Sequence, residues 1–207
     1  TMKYRYITIE REYGSGGTQI AREAAKRCRV PCYGREIIEA VASDQNLSAS
    51  QIDAYEETVS NSFLYSVYLL SKAQVGDPDM LTKEGHIYIA EQEAIKNFVA
   101  AGPAVFVGHC ASEALKDKND VLKVFIRANN ETRFKRAVEE YGISEHSAES
   151  IIQKFDRKRE RYYYANTTHK WREPDNYDLI LDSSTLGVYG CVDILAMIMN
   201  HEFVKEN

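Results

Sequence analysis

Ile7-Thr8-Ile9-Glu10-Arg11-Glu12-Tyr13-Gly14-Ser15-Gly16-Gly17-Thr18 is the stretch whose reading decides the fold. The β-branched run closing at Glu10 predicts a strand. Gly14, Ser15, Gly16 and Gly17 predict a loop with access to backbone angles closed to other residues. From Thr18 onward, Ile20, Ala21, Ala24, Ala25 and Cys28 recur at the spacing of one helical face. Strand, glycine loop, helix is the setting in which backbone N–H groups and a helix N-terminus hold a phosphate. Against the phosphate-loop pattern G-x-x-x-x-G-K-[ST], Gly16 and Thr18 fall in place, Gly17 stands where lysine belongs, and Arg11 replaces the first glycine. The dinucleotide fingerprint fits worse, because Gln19 occupies its third glycine and no acidic residue ends a second strand. An ordinary glycine turn is the remaining alternative, and the loop by itself does not choose.

Outward from the loop, the pattern alternates strands with helices. Val30 to Tyr33 reads as a short second strand and Arg35 to Ser43 as a helix. Ser48 or Ser50 is placed to cap a helix to about Lys72, which Gly76-Asp77-Pro78-Asp79 breaks. A further helix spans roughly Lys83 to Ala100, and the apolar run Ala104 to Val107 suits a buried central strand. Then come a strand from Val121 to Ile126, a helix from Glu131 to Tyr141, and a charged helix capped by Ser144 that runs to about Tyr164. A strand from Tyr177 to Leu181 and a helix from about Gly187 to Asn200 close the pattern. Strands separated by helices predict an α/β fold, a parallel sheet with helices on both faces. Ligands of such sheets sit beyond the carboxyl ends of the strands. Those ends carry Arg11 to Thr18, Gly34-Arg35-Glu36, Gly108-His109-Cys110, Arg127 and Asp182-Ser183-Ser184. Arginine follows three of the five, which suits a phosphate-rich ligand.

Composition narrows the partners. The chain has 207 residues, 44% hydrophobic and 28% charged, the range of one globular domain. A formal net charge of −5 argues against a nucleic-acid polymer or a membrane surface as partner. No apolar run is read as long enough to span a bilayer, and no secretory leader is expected. Cys28, Cys32, Cys110 and Cys191 lack metal-ligand spacing, and Cys28 to Cys32 is not C-x-x-C; reduced thiols in a cytoplasmic protein are expected. His86, His146, His169 and His201 show no metal spacing either. On the charged helix, Lys154, Arg157, Lys158 and Arg161 share one face without acids at the pairing interval, which fits either an anionic partner or a solvated face. Arg159 falls towards the apolar side, where it can pair internally.

With the glycine loop, Gly34-Arg35-Glu36-Ile37-Ile38, Val107-Gly108-His109-Cys110-Ala111, the arginine-rich helix and Tyr177-Asp178-Leu179-Ile180-Leu181-Asp182 in this order, the chain resembles the cytidylate kinase-like family, from Tyr6 to about Met199. The resemblance implies a single domain over residues 1–207 with the three-layer P-loop NTPase fold, a parallel sheet flanked by helices. It also implies a helical acceptor-binding insertion at about 47–101 and a lid at about 157–171. It further implies transfer of the γ-phosphate of ATP, with Mg2+, to a small phosphorylated or hydroxylated acceptor, CMP or dCMP first. By the same resemblance Gly14, Ser15, Gly16, Gly17 and Thr18 wrap the donor phosphates, with the Thr18 hydroxyl near the metal. Arg35 is the acceptor-phosphate arginine, Arg157 and Arg161 are lid arginines, and Asp182 lies near the donor base and ribose. Two positions depart from the pattern. Gly17 replaces the lysine, for which Arg11 at the loop mouth is the candidate substitute. His109 stands on the acceptor side where arginine is expected, and no carboxylate ends the strand Ala104 to Val107 to help hold magnesium. A nucleotide-binding module without turnover and a kinase for a non-nucleotide metabolite are the rival readings. The sequence leaves the oligomeric state open.

Overall fold

The structure is a computed structural model and describes residues 4–44 and 83–200. Among them five strands, β1 (Tyr6–Arg11), β2 (Cys32–Tyr33), β3 (Ala104–Val107), β4 (Val121–Arg127) and β5 (Leu179–Asp182), form one sheet in the order β2-β3-β1-β4-β5. Every pairing is parallel: Ile7 lies opposite Val105 on one side and Leu122 on the other, and Val124 opposite Leu179. The helices are α1 (Gly17–Cys28), α2 (Arg35–Asp44), α3 (Lys83–Ala101), α4 (Ala111–Ala114), α5 (Asn130–Glu139), α6 (Glu145–Thr167) and α7 (Ser183–Asn200).

Alternation along β1 divides the core. Ile7 and Ile9 face one side with Val105, Val107, Val124 and Ile126, packed by Ile20, Ala21 and Ala24 of α1 and Cys191, Leu195 and Met199 of α7. Tyr6 faces the other with Ala104 and Phe106, packed by Ile37 of α2 and Ile95 and Val99 of α3. From the central β1 the chain goes to β2 at one edge, returns to β3 beside β1, and then crosses to β4 and β5 on the other side. That reversal opens a crevice at the carboxyl end of β1, where the glycine loop lies.

Several boundaries differ from the sequence reading. The strand expected at Val30 is paired only at Cys32 and Tyr33. The last strand begins at Leu179, because Tyr177 instead packs its ring on Phe125 and donates its hydroxyl to the Trp171 carbonyl at 2.5 Å. Ser144 occupies the cap position of α6, but its hydroxyl bonds the Ser147 hydroxyl at 2.7 Å and caps no helix N–H. The short α4 had no sequence signal. In α7, Gly187 has φ 69° and ψ 168°, so two helical pieces meet at a kink. That helix corrects the hydropathy reading: its 18 residues, at mean hydropathy 1.2, are long and apolar enough to cross a membrane. Here its Cys191, Val192, Leu195 and Met199 are buried in the core. The helix expected from Ser48 or Ser50 to Lys72, and most of the expected insertion, lie outside the described residues; α3 is the part of it described.

Candidate functional site

Gly14 and Gly16 hold φ of 78° and 76°, left-handed angles that turn the chain sharply between β1 and α1. Ser15 is fully buried: its N–H and hydroxyl both donate to the Glu12 carbonyl, at 3.2 and 2.7 Å, and its own carbonyl accepts from Ser183 at 2.6 Å. Its hydroxyl therefore builds the loop and does not face a ligand. The first bond of the helical ladder runs from Ile20 N–H to the Gly16 carbonyl, so the N–H groups of Gly17, Thr18 and Gln19 precede it at the positive end of α1. The Thr18 side chain is exposed beside them.

Gly17 has a steric reason to be glycine. A Cβ there would sit 2.5 Å from the Arg11 Cβ and 2.9 Å from its Cγ, atoms too near the backbone to swing away. Further along the same side chain, a Cβ at Gly108 would meet Arg11 Nη1 at 2.5 Å. Arg11 thus runs through a channel walled by two glycines, from the start of α1 to the end of β3. The lysine of the usual loop and this path for Arg11 exclude one another. Arg11 lines two cavities that share His109 and Ile38 in their walls. One, of about 250 Å³, has Thr18, Arg22, Arg35, Glu36 and His109 in its wall; the other, about 200 Å³, has Glu10, His109, Lys158, Arg159 and Tyr162.

Arg35, read as the acceptor-phosphate arginine, and Arg11, read as the substitute for the lysine, follow different strands, and the fold brings both to the wall of the 250 Å³ cavity. Beside them burial pulls the Glu36 carboxyl up, but the backbone N–H groups of Gly34 and of Glu36 itself, with Arg22, outweigh it and leave the group below its ordinary range. Burial, with Glu36 adding to it, raises the Cys32 thiol to about 11, so it stays protonated. His109 ends β3 in a run of three left-handed residues, Gly108, His109 and Cys110 at φ 75°, 56° and 49°. For the two with a Cβ this costs about 1–2 kcal/mol each. Its ring Nδ1 lies 3.1 Å from Oε1 of Glu91, a wholly buried carboxylate on α3 that also accepts the Tyr162 hydroxyl.

The lid residues separate. Neither Arg157 nor Arg161 lines those two cavities; Arg157 borders a larger one of about 810 Å³ between α5 and α6, and Arg161 is exposed. Lys158 and Arg159 face the cleft in their place. Arg159 donates to the Arg11 carbonyl at 2.9 Å and lies over the Tyr13 ring at 5.6 Å. Burial, and Arg11 beside it, lower it to about 9, which leaves it charged at neutral pH. At the far end of the expected lid, Trp171 is fully buried and donates Nε1 to Glu10 at 3.0 Å. Asp182, at the end of β5, accepts from the Ser184 N–H and hydroxyl and pairs with Arg127 at 3.3 Å; the Ser184 hydroxyl first, then Arg127, hold its carboxyl below the usual range.

Sequence reasoning missed the residues that grip the loop from α5 and α6. Arg136 donates to the Gly14 carbonyl at 2.7 Å, and its guanidinium carbon would lie 3.2 Å from a Cβ at Gly16. Arg133 donates to the Tyr13 carbonyl at 2.8 Å and pairs with Asp156, which accepts the Tyr13 N–H at 2.8 Å. Arg172 joins Asp156 to Glu12, at 2.9 and 3.0 Å. Two arginines three apart on the helix that follows a strand end, Arg133 and Arg136, were the signal in the sequence, and it went unread.

The cradle suits a polyphosphate: a helix N-terminus, two left-handed glycines, and a guanidinium on either side. Among the described residues no cluster of three or more His, Cys, Asp or Glu could hold a metal. The exposed Thr18 hydroxyl, with phosphate oxygens and water, is a donor set that would suit a magnesium ion.

Among solved structures the chain is similar to an uncharacterized protein from Eubacterium ventriosum, at TM-score 0.70 and 24% identity over 94% of this chain and 98% of that one. It is similar also to the shikimate kinase of Bacteroides thetaiotaomicron, at TM-score 0.53 and 10% identity over 94% and 98% of the two chains. The shikimate kinase of Acinetobacter baumannii in complex with shikimate gives TM-score 0.51 and 10% identity over 98% and 96%. At these identities the likeness shows the fold, that of the P-loop NTPases. No curated protein matches. A model of the cytidylate kinase-like family matches residues 6–185, and the chain belongs to that family.

Proposed function

We propose that this protein is an ATP-dependent phosphotransferase that moves the γ-phosphate of ATP to a small acceptor bound between Arg11, Arg35 and His109. The observation that carries the reading is the path of Arg11 through its two-glycine channel, from the phosphate loop to the cavities beside it. Phosphoryl transfer depends on placed cations rather than covalent help from the protein. Arg11 stands where one guanidinium reaches both the donor loop and the acceptor cleft. Arg136 steadies the loop from the other side. Bound magnesium would add charge neutralisation between phosphates, with Thr18 as its protein ligand. The setting we propose is the cytoplasm, where the four free cysteines stay reduced.

CMP and dCMP are the acceptors the family membership puts first. A hydroxylated metabolite is the second reading, and the His109–Glu91 pair favours it, since an imidazole on a carboxylate is a poor partner for a phosphate dianion. The test is ADP release from ATP and magnesium against a panel of nucleoside monophosphates and small hydroxylated metabolites. Release dependent on one acceptor supports the kinase. Tight ATP binding with no acceptor-dependent release means a nucleotide-binding module.

A further inference from the structure

Resting on the kinase reading, we infer that His109, oriented by buried Glu91, is the base that takes the proton from an acceptor hydroxyl, so that the acceptor of this protein is an alcohol and not a phosphate. Glu91 has no exposed surface and accepts the Tyr162 hydroxyl on Oε2. With Glu91 ionised, and so only an acceptor, the 3.1 Å contact at Oε1 has His109 Nδ1–H as its donor. In that tautomer Nε2 is the basic nitrogen, and the charge behind the ring stabilises the imidazolium that forms when Nε2 takes a proton. His109, its side chain 12% exposed, lines both cavities that Arg11 lines. The backbone is held with equal care. Gln92, the residue after Glu91, donates its amide to the His109 carbonyl at 3.2 Å, and the residue sits in a left-handed conformation that its own type disfavours.

Such a base has a task only with one kind of acceptor. A phosphate monoester has shed most of its protons near neutral pH and brings none that must leave. A hydroxyl must lose its proton as its oxygen bonds to the γ-phosphorus. In the step inferred here, Nε2 takes that proton, the new O–P bond forms, and the bond from the γ-phosphorus to the β,γ-bridging oxygen breaks. The bridging oxygen leaves on ADP with the electron pair, and the imidazolium returns its proton to water. His109 is the catalytic residue; Glu91 is a positioning residue.

The experiment compares CMP and dCMP with a panel of polyols, hydroxy acids and nucleosides, using wild type, His109→Gln and Glu91→Gln, each checked for an unchanged melting temperature. The expected result is ADP release with a hydroxyl acceptor. His109→Gln should lower kcat by about 10²–10⁴-fold and move the acceptor KM only a few-fold. Glu91→Gln should give the same pattern at smaller size. A turnover-independent reading comes from ¹⁵N imidazole spectra assigned with His109→Gln, in which His109 should be the Nδ1–H tautomer. Turnover confined to CMP or dCMP overturns the inference and leaves the kinase standing. So does a His109→Gln enzyme within threefold of wild type, or an Nε2–H tautomer. ATP binding with no turnover on any acceptor overturns both.

Discussion

The two sides of the crevice, which we propose to be the donor and the acceptor side, are built differently. The donor side, the loop from Glu12 to Thr18, is clamped by groups from distant elements: Asp156, Arg133, Arg136 and Ser183 each bond its backbone. The acceptor side is made of long cations, Arg11, Arg22, Arg35 and Lys158, around one buried dyad. A phosphate cradle works by preorganisation, so its frame is rigid and internally satisfied. Selection among acceptors needs reach and a few specific groups. Variants on the donor side should therefore change stability and ATP binding, and those on the acceptor side kinetics with little loss of fold.

The largest effect is expected at Asp156, whose side chain is 8% exposed between Arg133 and Arg172. Asp156→Ala leaves the Arg133 guanidinium buried without its main partner and the Tyr13 N–H without an acceptor. Urea titration should show a loss of about 3–5 kcal/mol. A loss under 1 kcal/mol would mean that the loop is not held from α6.

Next come the glycines. Restoring the lysine should harm the protein, because at Gly17→Lys the new Cβ collides with Arg11. Gly16→Val meets both a left-handed φ and the Arg136 guanidinium. Calorimetry should find ATP bound at least tenfold more weakly by each; wild-type affinity in either contradicts the packing argument. On the acceptor side, Arg35→Ala should raise the acceptor KM about tenfold and leave ATP affinity alone. Among the cations of α6, Lys158→Ala should lower kcat more than Arg157→Ala with Arg161→Ala combined, because Lys158 lines the cleft and the other two do not. The opposite ranking would return the transition-state duty to the exposed pair.

Much of the fold was legible because its signals are local. The strand–loop–helix at 7–18, the apolar run Ala104 to Val107 and the strand-end arginines sit within a few residues of the features they mark. What the sequence could not show was long-range. The reason for glycine at 17 is a side chain six residues earlier that folds back across it, and the partner of His109 lies eighteen residues away on another element. On α6 the spacing put Lys154, Arg157, Lys158 and Arg161 on one face, but Lys158 lines the cleft without Arg157 or Arg161, because what meets the cleft depends on how the helix docks. Ser15 reads as a phosphate ligand by position, yet its hydroxyl is turned inward by a bond no pattern encodes.

The smallest effect expected is at Asp182. Its depressed carboxyl pKa means that it stabilises the fold above the ordinary carboxylate range, and that this contribution is lost as pH falls below about 4. Asp182→Asn should cost about 1 kcal/mol at pH 7, since the site is partly open to solvent, and progressively less as pH falls below about 4. A cost independent of pH would point to shape and not charge.

In the reaction we propose, Arg11 does the work of the absent lysine. Single-turnover transfer from ATP tests this, with Arg11→Ala compared with wild type on the best acceptor and ATP affinity measured alongside. Transfer should be slowed by about 10²–10³-fold, the worth of one placed electrostatic donor, with the Kd for ATP moved only a few-fold. Transfer within threefold of wild type would contradict it.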